Sequence, residues 1–208
     1  MPSVWQADGV PEEAPTVVPA SRCSWDELQL VFGTRGPAHR CQCQRYKLAP
    51  KESFGGSPVE ERAFRLRQQT ECDHPRSRTT SGLVARLGEE PVGWCAVEPR
   101  TEYAGLLRVF RVPWEGRDED RTDPSVWAVT CLLTRAGFRK RGISRALARA
   151  AVDFARERGA RALEAYPITT TDVITEELHV GTVPTFEAAG MTIVSRPSPR
   201  RVVMRIDF

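Results

Sequence analysis

Residues 126–167 decide the fold; they read VWAVTCLLT (126–134), RAGFRKRGIS (135–144), RALARAAVDFARERG (145–159) and ARALEAYP (160–167). This pattern predicts an apolar strand, a basic loop with glycines, an amphipathic helix from Ile143 to Arg158 and a second strand. Because the loop opens the helix, backbone N–H groups at the helix start can converge on an anion. A diphosphate is the usual occupant of such a strand-loop-helix site, and we predict one at residues 139–144.

Composition narrows the class of protein. The 208 residues are 40% apolar and 27% charged, which is typical of one sizeable soluble domain. The net charge of +3 is too small to indicate nucleic acid as a partner. No apolar run is long enough for a transmembrane helix, and the N-terminus lacks the pattern of a signal peptide. We therefore expect a cytoplasmic protein whose six cysteines are reduced.

The order of the remaining elements predicts an α/β fold with a mixed central sheet flanked by helices. Helices are expected at 25–32 and 58–69, a hairpin at 83–87 and 92–97, and last strands at 192–195 and 202–206, separated by a turn at 196–199. An irregular excursion covers 100–124. We predict a flexible arm at 1–16, an N-terminal helical extension at 17–80 and the α/β domain at 81–208.

Two common nucleotide motifs are excluded by the loop sequence. Residues 137–144 mimic the P-loop pattern G-x-x-x-x-G-K-[ST], but Ile143 stands where the phosphate-binding lysine is required. ATP or GTP hydrolysis is therefore not expected. The dinucleotide pattern G-x-G-x-x-G is absent from the chain as well.

The loop does match R-x-x-G-x-[GA], with Arg139 and Gly142 in place and Ser144 at the last position. In this it resembles the coenzyme A pyrophosphate loop of the GCN5-related N-acetyltransferase (GNAT) superfamily. The similarity continues through the flanking strands, the alanine-rich helix and the segment from Phe186 to Met191, which stands where the family has Y-x-x-x-G-F. It covers Leu83 to Phe208. The segment RCQCQRYK (40–47) adds a likeness to actinobacterial-type members of unassigned substrate.

This resemblance implies a GNAT-type fold, acetyl-CoA as co-substrate and a set of cofactor-binding residues. The diphosphate would be bound by the loop, and the pantetheine arm would pair with the end of the preceding strand. Phe186 would lie against the cofactor in place of the family's tyrosine. The other expected cofactor-binding residues are Leu132, Leu133, Thr134, Arg139, Lys140, Arg141, Gly142, Ile143 and Ser144.

The catalytic residues are harder to assign, because Phe186 cannot protonate the leaving thiolate as the family's tyrosine often does. Two substitutes are Tyr166, at the end of the strand beside the expected thioester site, and His179 in the following loop. A packed tyrosine, a structural histidine and a water-mediated route are the alternatives. A cationic acceptor would suit three acidic residues of that loop: Asp172, Glu176 and Glu177.

The cysteines raise the question of a metal site. Soft ligands occur at Cys23, in the C-x-C segment 41–43 and in the C-x-H segment 72–74. These spacings differ from the C-x₂-C of zinc knuckles, so no metal is expected. Cys41 and Cys43 are instead expected near the acceptor pocket or under the N-terminal helices.

The sequence thus favours an N-acetyltransferase that moves an acetyl group from acetyl-CoA to a small-molecule or peptide amine by direct transfer in a ternary complex. The alternative is a catalytically silent acyl-CoA-binding sensor or regulatory protein, consistent with Phe186. A third reading, an anion- or nucleic-acid-binding module, is disfavoured by the near-neutral charge. Neither nucleic acid nor membrane is expected as a partner, and a homodimer is left open.

Overall fold

The computed structural model describes residues 13–208, which contain a seven-stranded mixed sheet in the order β1-β2-β3-β4-β5-β7-β6. β4 and β5 are parallel, whereas every other neighbouring pair is antiparallel. The predicted mixed central sheet is therefore confirmed. The strands are β1 (Thr16–Pro19), β2 (Gly82–Leu87), β3 (Glu90–Pro99), β4 (Val126–Thr134), β5 (Ala162–Ala165), β6 (Thr192–Ser198) and β7 (Arg201–Asp207).

Local sequence signals account for the helix ends. Ser24 and Glu27 form a capping box at the start of α1, with each side chain accepting from the other's backbone N–H. α5 follows Gly142 and is ended by Gly159, both with positive φ. The helices are α1 (Trp25–Phe32), α2 (Gly36–Cys41), α3 (Val59–Thr70), α4 (Ala104–Arg108), α5 (Ile143–Glu157) and α6 (Val183–Glu187).

The sheet separates two helical layers. Along β3, Cys95 and Val97 belong to the core under α5, while Trp94 and Ala96 belong to the core under α1. This alternation follows from the two-residue period of a strand. The central strands are apolar on both faces because helices cover both of them.

Some elements differ from the sequence-based expectations. β1 begins at the last residue of the predicted arm and continues into the segment 17–80 expected to be helical, and it pairs with β2. The turn expected at 196–199 falls mostly within β6, and the excursion 100–124 contains α4. Of the predicted arm 1–16, residues 1–12 lie outside the described residues. Within 13–208, no helix combines the length and apolar character needed to cross a membrane.

A buried ion cluster ties the excursion 100–124 to the sheet. The Glu164 carboxylate on β5, which is fully buried, accepts hydrogen bonds from Arg100 at 3.1 Å and Arg117 at 2.5 Å, both in the excursion. Arg205 on β7 donates at 2.9 Å and the Tyr166 hydroxyl at 3.0 Å. Burial by itself raises the pKa of Glu164, but the hydrogen bond and charge of Arg117, with Arg100, outweigh it and lower the pKa.

We predict that Glu164→Gln destabilises the fold by about 3 kcal/mol, because it removes the fully buried counter-charge of three arginines. The remaining carboxylate shared by these arginines, Glu119, is partly exposed and compensates for the loss only in part. Since the pKa of Glu164 is lowered by folding, its contribution is present above the unfolded-state pKa and lost as the pH falls through the folded-state pKa. Urea unfolding of the variant should therefore show a shallower loss of stability on acidification than wild type.

The matched control is Glu157→Gln, which removes an exposed carboxylate at the end of α5. It should change stability little at any pH. Equal effects of the two substitutions would contradict the role given to the buried cluster.

Candidate functional site

β4 and β5 separate at the centre of the sheet. They pair only from Val126–Ala162 to Val129–Ala165. At this point Thr130 is an extra residue in β4 relative to β3, which forms a β-bulge. Residues 130–134 of β4 have no strand partner on the β5 side within the described chain. Backbone groups of the predicted residues Leu132, Leu133 and Thr134 therefore lie along a gap between parallel strands.

The basic loop leads from this gap into α5. Lys140 and Gly142 have φ of 64° and 75°, so the backbone turns twice through the left-handed region. The first helical hydrogen bond runs from the Ala146 N–H to the Gly142 carbonyl at 3.0 Å. The N–H groups of the first helical turn consequently have no helical acceptor. The Ser144 and Thr134 hydroxyls lie 3.2 Å apart and link the helix start to the end of β4.

A surface cavity of about 320 Å³ opens at this junction. Five of the predicted cofactor-binding residues line it together with two others. The new ones are Arg145, within the basic cluster, and Thr185, on α6. Thr185 carries no signal in the sequence, because only the packing of α6 against α5 brings it to the loop. The full lining is Thr134, Lys140, Gly142, Ile143, Ser144, Arg145 and Thr185.

The cavity carries uncompensated positive charge. Four basic side chains around it are exposed, and within residues 13–208 none of them pairs with a carboxylate; they are Arg139, Lys140, Arg141 and Arg145. Arg135 differs, since it pairs with Glu90 at 2.7 Å. The free N–H groups and these charges together favour an anion at the helix start.

Phe186, a further predicted cofactor-binding residue, lies in the core beside β4 and does not line the cavity. Its side chain is fully buried and packs with the core under α5. A Cβ placed on Gly181 would lie 2.7 Å from the Phe186 ring and 3.0 Å from a Leu132 methyl. Gly181 therefore permits Phe186 and Leu132 to meet beside β4.

Tyr166 is 3% exposed, and its hydroxyl donates to Glu164. Burial and the adjacent Glu164 charge raise the pKa of Tyr166 well above its usual value. This hydroxyl is engaged within the buried ion cluster, on the face of β5 away from α5.

His179 lies in a 3-10 helix (Thr175–Val180) that packs beside β4. Its Nδ1 is 2.5 Å from the Glu176 carbonyl, so this nitrogen carries the proton and Nε2 is left as an acceptor. Burial lowers the pKa of His179, and the charges of Arg45 and Arg201 act in the same direction. The hydrogen bond to the Glu176 carbonyl opposes these effects but does not cancel them. A lowered pKa favours the neutral imidazole, in which Nε2 is the basic nitrogen. Among the three acidic residues that the sequence offered for a cationic acceptor, Glu177 forms an ion pair with Arg200 at 3.0 Å.

The cysteines are free thiols. Cys43 Sγ accepts a hydrogen bond from the Trp94 indole at 3.0 Å, which places it beneath α1 against the sheet. Cys95 is fully buried on β3. Across residues 13–208, no group of three or more histidine, cysteine or acidic side chains is arranged to hold a metal ion.

Comparison with known families identifies the class of protein. The acetyltransferase (GNAT) family matches residues 45–179, more than half of the chain. The chain therefore belongs to the GNAT family. A search of curated proteins found no match.

Solved structures share the fold. PaiA N-acetyltransferase from Thermoplasma acidophilum, in complex with coenzyme A, is 10% identical, with a TM-score of 0.52 over 94% of this chain and 99% of PaiA. YncA of Salmonella typhimurium, described with its cofactor acetyl-CoA, is 12% identical, with a TM-score of 0.50 over 93% of this chain and 94% of YncA. An N-acetyltransferase from Staphylococcus aureus Mu50 is also 12% identical, with a TM-score of 0.50 over 93% of this chain and 98% of that one.

We predict that Gly181→Ala destabilises the protein more than Gly190→Ala. Both glycines have positive φ, 76° and 83°, so both substitutions cost backbone strain. At Gly181 a ψ of −179° adds to this cost, because that region is essentially restricted to glycine, and the strain there is about 1–3 kcal/mol. Only at Gly181 would the new methyl overlap the Phe186 ring, which adds about 1–3 kcal/mol of overpacking. At Gly190 the nearest atom would be 3.7 Å away. Chemical denaturation of both variants measures the difference, and equal losses would argue against tight packing at the gap.

Proposed function

We propose that the chain is an acetyl-CoA-dependent N-acetyltransferase. In this proposal the acetyl group passes directly to an amine while both substrates are bound. The observation that carries it is the cavity at the start of α5, next to the unpaired edge of β4. A diphosphate and an extended amide-bearing arm are the two groups that such a pair of surfaces can bind.

Coenzyme A contains both groups, a diphosphate and an extended arm with amides. The diphosphate would accept hydrogen bonds from the first turn of α5 and attract Arg139, Lys140 and Arg141. The pantetheine amides would pair with the backbone of Leu132–Thr134 as an added strand. PaiA and YncA, which share the fold, are described with coenzyme A and acetyl-CoA, and this supports the same cofactor here.

We assign proton transfer to His179 as a base. A general acid must carry its proton before the reaction begins. Burial lowers the pKa of His179 and favours the neutral ring, so the histidine is suited to act first as a base. Neutral Nε2 can accept the proton that the amine nitrogen loses when it attacks the thioester carbon. The resulting imidazolium can then return a proton to the departing thiolate, so protons balance over the step. Tyr166 has a structural part in this proposal, through Glu164.

The second candidate function is a silent acyl-CoA sensor. Its support is that Phe186 has no hydroxyl and that the Tyr166 hydroxyl is bound to Glu164. The two functions differ in one observable. A sensor binds acetyl-CoA without releasing free thiol in the presence of any amine.

We predict that Gly142→Glu weakens acetyl-CoA binding by about tenfold or more, measured by calorimetric titration. The substitution places a carboxylate beside the expected diphosphate and strains a residue with φ of 75°. The matched control is Gly159→Glu at the other end of α5, which has φ of 78° and equally open space around its Cβ. It should bind as wild type does. Wild-type protein that does not bind acetyl-CoA would overturn the proposed function.

We predict that His179→Gln lowers the rate of acetyl transfer by about a hundredfold or more, as expected for loss of a general base. The wild-type rate should fall with decreasing pH as the imidazole is protonated, at a pH below the usual histidine range because burial lowers its pKa. The variant should lack this acid limb. His74→Gln, at an exposed histidine, is the control. An unchanged pH profile in His179→Gln would exclude His179 as the base.

A further inference from the structure

A second cavity, of about 290 Å³, lies in the excursion 100–124, away from the basic loop. It is formed by the end of α4 and the turns that follow. Three of its lining residues are arginines and only one is acidic. The lining is Arg108, Val109, Phe110, Arg111, Trp114, Glu115, Gly116 and Arg121. We call it the arginine pocket.

Within residues 13–208, two of these arginines, Arg108 and Arg121, pair with no carboxylate. Arg108 donates to the carbonyls of residues 48 and 49 at 3.1 and 2.9 Å, and Arg121 donates to the Leu107 carbonyl at 3.2 Å. These neutral acceptors orient the guanidinium groups but do not cancel their charge. Arg111, by contrast, pairs with Glu115 at 2.9 Å. The arginine pocket therefore has a net positive charge and suits an anionic group.

The pocket also has an apolar wall. Val109 is 62% exposed, which is high for a large aliphatic side chain, and it lies beside the Phe110 ring in the lining. Trp114 forms the inner wall, with the Arg100 and Arg121 guanidinium groups each 4.8 Å from its ring centroid. A ligand with both an apolar body and an anionic end can use both kinds of surface.

Aromatic contacts connect the arginine pocket to His179. The Phe110 ring, which lines the pocket, lies 4.5 Å from the Tyr46 ring, and Tyr46 lies 6.1 Å from the His179 ring. The Tyr46 carbonyl accepts hydrogen bonds from Gly105 and Leu106 of α4, which fixes the pocket relative to this row. The pocket and the proposed base thus lie at the two ends of one short apolar row.

We infer that the arginine pocket binds a carboxylate of the acceptor, so that the acceptor is a small amine with a carboxylate at the far end of an apolar body. The inference rests on the proposed function, in which the amine meets the thioester near His179. Arg108 and Arg121 bind the carboxylate, and the Val109–Phe110 wall contacts the apolar body. The length of the aromatic row requires several bonds between amine and carboxylate.

The test compares ε-aminocaproate with its amide as acceptors, by measuring free thiol released from acetyl-CoA. We expect wild type to prefer the carboxylate by about tenfold or more in kcat/KM, because a charge-assisted hydrogen bond is lost in the amide. The double variant Arg108→Gln/Arg121→Gln should lose this preference through a higher KM for the carboxylate. The double variant Arg108→Lys/Arg121→Lys keeps the positive charge and should retain part of the preference for the carboxylate.

The control is Arg156→Gln/Arg196→Gln, which removes the same charge from exposed positions outside the pocket and should retain the preference. Equal use of carboxylate and amide by wild type, or a preference that survives in the pocket variant, overturns the inference. If the protein acetylates other amines but neither ε-aminocaproate nor its amide, the inference is also overturned, whereas the proposed function stands.

A direct titration separates the two proposals. If wild type fails to bind acetyl-CoA, the proposed function fails, and the pocket is then tested by calorimetry with N-acetyl-ε-aminocaproate. Binding that is weakened about tenfold or more by Arg108→Gln/Arg121→Gln supports a carboxylate site in the pocket. Absence of binding, or equal binding by the variant, overturns it.

Discussion

The short parallel pairing between β4 and β5 is the constraint on which the rest of the candidate site depends. Four residue pairs join these strands before they separate. On β4 the bulge at Thr130 disturbs the ladder, and on β5 the strand ends before Pro167, which has no N–H to continue it. An unpaired backbone edge inside a sheet needs a partner, and an extended amide-bearing ligand can supply one. The basic loop starts at the end of this same edge.

On the face of the sheet away from α5, the buried Glu164 carboxylate holds a second part of the molecule in place. Its hydrogen bonds to Arg100 and Arg117 hold the excursion 100–124 against β5 and β7. The excursion also packs on the core through Tyr103 and Leu106, which are almost fully buried, so these hydrogen bonds act together with apolar contacts. The arginine pocket is built on that excursion, so this carboxylate helps to position the proposed acceptor pocket as well as the end of β5. A buried ion cluster is costly to assemble, and here it confers a defined geometry on an irregular segment.

The sequence predicted most of the fold, because its strongest signals are local. α1, α5 and the hairpin of β2 and β3 follow from periodicity, caps and turn residues that act over a few positions. β1 was missed, since a four-residue edge strand has no periodicity to detect. The turn expected at the prolines near 197 was misplaced because β6 is an edge strand, and an edge tolerates a proline that donates no ladder hydrogen bond.

The sequence by itself determined the backbone of the proposed anion-binding loop, since the free N–H groups of a helix start and the glycine at 142 are properties of a contiguous segment. Only the tertiary structure decided which distant groups meet it. Thr185 reaches the cavity through the packing of α6 on α5, and the Tyr166 hydroxyl is bound to Glu164 within the ion cluster. The row from Phe110 through Tyr46 to His179 joins segments far apart in the chain. Such contacts depend on how the layers pack together, and no local pattern of residues encodes them.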